Sequence, residues 1–248
     1  MSEKRLRVAT WNIASNKNYD ALAAKLATLD IDICAAQEVS VDPAIDLPNM
    51  LGRRQGHVSD YNWYFAPALA PRELGGEETE YFGLAMLSRI PLSQMATFQL
   101  GPHHTGSVID AEYEPRILQI AALPTQEALI VGNTHLASTA NWSLSTVRRS
   151  QAGKIANILR PLAKRGPLIL CGDFNTEPSS SDLADIRETL PYFYMSQERT
   201  YHEDHGRPPI DFFCSALALD VNISVCPAGG LSDHNIVVAT FNGIRSPA

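Results

Sequence analysis

The chain of 248 residues has only four cysteines, Cys34, Cys171, Cys214 and Cys226, scattered with no CxxC or zinc-ligand spacing. That spacing excludes a disulfide framework and a structural zinc knuckle. Each cysteine sits among apolar neighbours, which predicts buried free thiols. No run approaches the roughly 18 apolar residues of a membrane-spanning helix. The polar start, Met1 to Arg7, is followed by no apolar signal core. Together these absences predict a soluble protein of the reducing cytoplasm. Basic charge is also short: 20 Lys and Arg stand against 27 Asp and Glu, a net charge of −7. A protein that holds duplex nucleic acid through many phosphates is usually basic on at least one face. The balance therefore counts against strong nonspecific DNA binding, and it is equally what carboxylates gathered around a metal would give. No Pro/Gly/Ser-rich linker and no sequence repeat divide the chain, so one domain spanning residues 1–248 is expected.

What is present is a succession of short apolar runs of β type. Strands are predicted at Leu6–Trp11, Ile31–Gln37, Tyr61–Phe65, Gly83–Ser88, Ile117–Ala122, Leu129–Thr134, Leu168–Cys171, Ile210–Cys214, Asn222–Cys226 and Ile236–Phe241. Helices interrupt them. Tyr19–Leu29 repeats Leu22, Leu26 and Leu29 on one face. Leu144–Ala163 can place Val147, Ile155, Ile158, Leu159 and Leu162 together before Gly166-Pro167 stops it. A third helical stretch runs from about Ser180 to Leu190. Many strands with few helices suggest sheets flanked by helices. Two polar loops, Pro67–Glu80 and Thr200–Pro209, are long enough to carry substrate contacts.

The chemistry-bearing residues fall at the ends of these runs. Asn12 closes the first strand and Glu38 closes DICAAQ, a natural place for a hard-cation ligand. His135 follows LIVGNT. Asp173 and Asn175, two apart in Gly172-Asp173-Phe174-Asn175, point the same way at the end of the buried strand LILC. Asp211 lies inside an apolar strand, where an unpaired carboxylate is costly and a histidine is a good partner. Asp233-His234 precedes the strand IVVATF, a pairing suited to metal ligation and acid–base work. Singly, each has an ordinary reading: an Asx turn for Asp173 and Asn175, a solvated strand end for Glu38, a surface histidine for His234. Six strand-like segments each delivering such a residue point instead to one cleft. His202-Glu203-Asp204-His205, His103-His104 and Glu77–Glu80 read as solvated loops. Trp63, Tyr64 and Phe65 read as core strand, and Trp142 as packing rather than base stacking.

The set, in order, resembles the endonuclease/exonuclease/phosphatase superfamily: Trp11-Asn12-Ile13, Gln37-Glu38, Asn133-Thr134-His135-Leu136, Gly172-Asp173-Phe174-Asn175 with Pro178, Ile210-Asp211-Phe212 and Ser232-Asp233-His234. Gly83–Arg89 and the helix residues Arg148 and Gln151 add weight, and the likeness spans about residues 6–242. It implies the deoxyribonuclease I-like fold, a four-layered α/β sandwich with two mainly antiparallel β-sheets face to face and helices outside. It also implies a hydrolase that attacks a phosphate ester in line with water.

By the same resemblance, Mg²⁺ or Mn²⁺ would be held by Glu38, with Asn12 and Asp233 close by. Asp173 would activate the water with help from Asn175, a metal-bound hydroxide being the other mechanism the resemblance allows, and His234, paired with Asp211, would face the phosphate. His135 would donate to a phosphate oxygen, so that Asn12, His135 and Asn175 contact substrate. Ile236 stands where the family often has proline, a strand-entry change with no expected catalytic effect. Ala14 stands where some nucleases have an acid, which favours a single metal site. The Trp-Cys-Asp-Arg signature of inositol phosphatases is replaced by Pro208-Pro209-Ile210-Asp211, and the signal peptide and disulfides of secreted relatives are missing. A cytoplasmic nuclease or phosphodiesterase is therefore the leading expectation. A phosphatase or phosphodiesterase of a lipid or small-molecule ester comes second, and a non-catalytic binding module third. The expected partner is a phosphoester, including nucleic acid; no protein partner can be read.

Overall fold

The computed structural model describes residues 5–41, 61–69, 81–101, 112–124, 128–139, 143–202 and 208–245. Among these, twelve strands form two six-stranded sheets. The first contains β1 (Arg5–Asn12), β2 (Ile33–Val41), β3 (Asn62–Leu69), β4 (Tyr81–Ser88), β11 (Val221–Cys226) and β12 (Ile236–Arg245), in the order β11-β12-β1-β2-β4-β3. The second contains β5 (Ser93–Gly101), β6 (Arg116–Ala122), β7 (Ile130–His135), β8 (Leu168–Asp173), β9 (Tyr192–Tyr194) and β10 (Asp211–Ser215), in the order β5-β6-β7-β8-β10-β9. Three helices lie among the described residues, α1 (Tyr19–Thr28), α2 (Thr146–Ala163) and α3 (Ala184–Thr189), the last preceded by the 3₁₀ turn Ser181–Leu183.

Each sheet is built around one parallel pair, β1 with β2 and β7 with β8, and all other neighbours are antiparallel. A parallel pair needs a crossover, and α1 and α2 supply it. Shifting every strand number by six turns one sheet order into the other, so the fold is an internal duplication in topology that no sequence repeat betrays.

Strand parity sorts the core. On β1, Leu6 and Val8 join Ile33, Ala35, Val131, Ile169, Cys171 and Phe213 between the two sheets. Ala9 and Trp11 face the other way, under Leu22, Ala23 and Leu26 of α1. On the far side, Leu168, Leu170, Phe212 and Cys214 pack under Ala152, Ile155 and Leu159 of α2 and Ile186 of α3. The layers run helix, sheet, sheet, helix, as expected. Asn18 caps α1 by accepting from Ala21 N, and Ser145 caps α2 by accepting from Arg148 N.

The predicted elements are found within a few residues of their expected bounds, but β5 and β9 were not foreseen. Both are edge strands, and β5 (SQMATFQLG) is mostly exposed or half-exposed. Strands without two buried faces carry no continuous apolar signal. The four cysteines are free, three buried and Cys226 half-buried. Trp63 and Phe65 pack on the α1 side of their sheet and Tyr64 between the sheets, as core strand residues. No helix among the described residues is long and apolar enough to cross a membrane.

Candidate active site

The inner-face parity that buries Leu6, Val131 and Ile169 also sets Asn12, His135 and Asp173 on that face at the C-terminal ends of the two central parallel pairs. Such strand ends are where open α/β sheets gather their polar groups. Asn12 Nδ2 donates to Glu38 Oε1 at 2.8 Å and to Asp173 Oδ2 at 3.1 Å, and its Oδ1 accepts from Ala14 N at 3.0 Å. The amide thus brackets two carboxylates contributed by different sheets.

Glu38 reaches this face by a β-bulge. Cys34 and Ala36 point to the α1 side, and strict alternation would send residue 38 there too. Instead the pairing with β4 slips by one residue between Ala36 and Val39, and Val39 and Val41 resume the α1 side. Glu38 itself has φ +53, an uncommon value for a residue with a Cβ. The strained, bulged position is what frees its carboxylate for the cleft.

Asp173 and Asp211 face each other across the β8–β10 ladder. Asp173 is buried; its Oδ1 accepts from Asn175 N at 2.9 Å, and Oδ2 lies 3.6 Å from His135 Nε2 and 3.8 Å from His234 Nε2. Burial, reinforced by the nearby Asp211 charge, pushes the Asp173 carboxyl up to about 7. Asp211 Oδ2 lies 3.0 Å from His234 Nδ1, while its buried Oδ1 has no hydrogen-bond partner. Phe174 and Phe212 stack behind these acids with centroids 4.0 Å apart, fixing the strand ends from the helical side.

His234 is held by its backbone. Trp11 Nε1 donates to its carbonyl, Ser232 Oγ accepts from its N–H, and the same hydroxyl donates to Asn12 O. Burial alone would lower the His234 pKa, but the carboxylates of Asp211, Asp173 and Asp233 outweigh it and raise the ring to about 10. Tyr201 forms a backbone bridge to His234 and packs on its ring at 4.7 Å. Asn175, at φ +51, donates from Nδ2 to Leu136 O at 3.0 Å. Arg148 of α2, fully buried, ties the neighbouring loops by donating to Ala137 O and Asn175 O and to Asp182.

These groups open on a cavity of about 270 Å³. Of the residues singled out from sequence, Glu38, His135, Asp173, Asn175, Asp233 and His234 line it. Asn12 and Asp211 stand behind, touching Glu38 and Asp173 in the one case and His234 in the other. Glu114, Arg116, Ser138, Tyr201 and Ile210 also line it and were missed. Arg116 opens β6 with its guanidinium buried, Nη1 2.7 Å from His135 Nδ1 and Nη2 2.6 Å from Glu114 Oε2. An arginine followed by ILQIAA at a strand start was the signal available for it. Burial, with Arg116 and His234 nearby, holds the His135 pKa well below its ordinary value. Burial also raises the Glu114 carboxyl, against the pull of Arg116.

For a metal, the donors are mostly carboxylate oxygens. Asp173, Asp211 and His234 offer ligand atoms all within 4.8 Å of one another, while Glu38 and Asp233 present further carboxylates to the cavity. A carboxylate-rich set with one orphaned buried oxygen fits a divalent cation. Of the discounted clusters, His202 is exposed and meets Asn235 Oδ1 through Nε2 at 3.1 Å. Residues 203–207, His103-His104, Glu77–Glu80 and Trp142 lie outside the described residues.

The fold is shared with solved structures. An endonuclease/exonuclease/phosphatase from Bacteroides vulgatus superposes with a TM-score of 0.69 at 21% identity, over 97% of this chain and 99% of that one. The human Nocturnin catalytic domain with bound sulfate anion gives 0.68 at 19% identity, over 96% and 93%. A mannosyl-6-phosphatase from Bacteroides thetaiotaomicron gives 0.64 at 19% identity, over 96% and 99%. No curated protein sequence matches the chain. The sequence matches the Endonuclease/Exonuclease/phosphatase family over residues 9–234, nearly its whole length. The protein therefore belongs to that family and carries its phosphoesterase fold.

Proposed function

We propose that this protein, acting as one catalytic domain over residues 1–248, is a divalent-metal-dependent hydrolase of phosphate esters, foremost a nuclease or phosphodiesterase. The observation that carries the reading is the buried line Asp211–His234–Asp173, with spacings of 3.0 and 3.8 Å, at the wall of the cavity. Asp211 holds His234 at Nδ1 and favours its cationic form, so Nε2 presents a proton and positive charge to a phosphoryl oxygen. Asp173, whose pKa is raised by burial into the neutral range, accepts the proton of the attacking water. Asn175 N fixes one oxygen of that carboxylate. His135 donates to a second phosphoryl oxygen, and Asn12 keeps Glu38 and Asp173 in register.

Glu38 and Asp233, with Asn12 at their side, would hold Mg²⁺ or Mn²⁺. When bound, the ion offsets the charge on the phosphoryl oxygens and the leaving group. Free thiols at all four cysteines support a reducing, cytoplasmic setting.

A second reading, a small-molecule or lipid phosphoester, is favoured by the lining of the cavity. Apart from the histidines, Arg116 is the one cation among its described residues, and Glu114 already pairs with it. That leaves the lining with no unpaired arginine or lysine for the flanking phosphates of a polynucleotide. The likeness in fold to a mannosyl-6-phosphatase agrees with this reading.

The test is Mg²⁺- and Mn²⁺-dependent hydrolysis of plasmid, single-stranded DNA, RNA, an abasic duplex, an inositol phosphate, a sugar phosphate and a generic phosphodiester. EDTA, Glu38→Gln and His234→Ala serve as controls. Nucleic-acid cleavage lost in all three controls supports the nuclease reading. Turnover confined to small esters supports the second. Metal binding with no turnover on any of them overturns both in favour of a binding module.

A further inference from the structure

We propose that Arg116 is a positioning residue that fixes His135 as a neutral imidazole carrying its proton on Nε2, with Glu114 anchoring Arg116. The inference rests on the geometry of the three side chains; only the use of that proton, on a phosphoryl oxygen, rests on the phosphoesterase reading. A guanidinium has five N–H donors and no acceptor. With Nη1 2.7 Å from His135 Nδ1, the contact is a hydrogen bond only if Nδ1 has no proton and accepts. The ring proton must then be on Nε2, and a doubly protonated ring is excluded, because it would set N–H against N–H beside a buried cation. Nε2–H faces the cleft, 3.6 Å from Asp173 Oδ2 and 4.0 Å from Glu38 Oε1.

The arrangement is over-determined on the arginine side. Glu114 Oε2 takes Nη2 at 2.6 Å, and the arginine is almost wholly buried. Its planar fork can therefore serve both partners in one rotamer, which a lysine cannot do with the same geometry. The consequence separates the two histidines of the site. His234, next to Asp211, is the ring that carries charge. His135, next to Arg116, is a fixed neutral donor and takes no part in proton transfer.

The primary test needs no variant and no turnover. Nitrogen-15 shifts and long-range proton couplings of the histidine rings, recorded on the intact protein in EDTA and assigned with His135→Gln, report which ring nitrogen is protonated. The expected spectrum has His135 neutral with Nε2 protonated. A His135 protonated on Nδ1, or on both nitrogens at neutral pH, overturns the proposal and leaves the phosphoesterase reading standing. Arg116→Met is expected to give a mixture of tautomers, and Arg116→Lys to restore the Nε2–H form in part. Wild-type spectra in both variants overturn the proposal.

On whichever ester is turned over, Arg116→Met should lower kcat by roughly tenfold to a hundredfold, the range found when a histidine loses its orienting partner. The same substitution in a His135→Gln background should lower it no further. An equal further loss there would mean that Arg116 acts directly on substrate and would overturn the positioning role.

Discussion

His234 Nδ1 lies 3.0 Å from Asp211 Oδ2, and both side chains are buried, Asp211 opening β10 and His234 standing two residues before β12 of the other sheet. Asp211→Asn keeps the shape of this contact and removes its charge. The carboxamide still meets the ring, but it no longer favours the imidazolium and can impose the other tautomer. We expect kcat for phosphoester hydrolysis to fall by about 10²–10⁴-fold, with KM changed far less, because the lost interaction matters mainly in the transition state. Steady-state kinetics with circular dichroism as a fold control checks it; a fall of less than tenfold would remove the pair from the mechanism.

The same pair predicts a pH dependence of stability in EDTA. The His234 pKa is raised in the folded protein from its ordinary 6.5 to about 10. Between those values the folded state binds more protons than the unfolded state, so stability falls as pH rises, and the contribution is complete below pH 6.5. Asp173, raised from 3.8 to about 7, acts in the same direction over the lower window. Urea melts from pH 7 to 10 should therefore show wild type losing its advantage over Asp211→Asn as pH rises. A difference that stays constant across that window would contradict the assignment of charge to His234.

Sequence patterning made most of this legible for a simple reason: the site is built on strand ends, and buried strands announce themselves. Asn12, His135 and Asp173 inherit the parity of the apolar residues before them. Glu38 does not. Alternation from Cys34 and Ala36 predicts the wrong face, and only the bulge, with Glu38 at φ +53, brings it to the cleft. A one-residue slip in register has no signature in composition. Arg116 was missed because its partner His135 stands on the neighbouring strand and a lone arginine at a strand start reads as solvated, and Glu114 because it acts through Arg116. The edge strands β5 and β9 were invisible because neither has two apolar faces to show.

Arg148 occupies the buried stripe of α2 with Gln151, Ala152, Ile155 and Leu159, an unusual place for a charge. It is fully buried with Asp182 at 3.0 Å and donates to the carbonyls of Ala137, Ser143 and Asn175. Gln151 completes the bracket by accepting from Ala137 N. Arg148→Met takes the buried partner from Asp182, leaving it Ser145 N and the exposed Arg149 at 3.5 Å, and removes the arginine donor from three carbonyls, of which Ser143 O keeps the Thr139 hydroxyl. Removal of one member of a buried pair costs about 3–5 kcal/mol. Chemical denaturation should show a loss of that size, and the double substitution Arg148→Met/Asp182→Asn should recover part of it. Activity should fall as well, because the loop carrying Asn175 loses its tether.

Gly172 lies between Cys171 and Asp173, where β8 pairs with Thr134 of β7. A Cβ there would sit 1.9 Å from the backbone oxygen of Thr134 and 2.9 Å from its carbonyl carbon. Backbone cannot rotate aside as a side chain can, so Gly172→Ala must push the two central strands apart. Overpacking in a core costs about 1–3 kcal/mol, and for a domain of this size each kcal/mol lowers Tm by about 2–4 °C. The displaced strands end in His135 and Asp173, so activity should fall further than stability does. Gly230→Ala is the control. Its φ of +81 is strained for alanine, but nothing lies within 4 Å of the added Cβ, so the cost should stay near 1 kcal/mol with activity retained. Equal effects from the two substitutions would mean that the close approach of β7 and β8 does not set the spacing of the site.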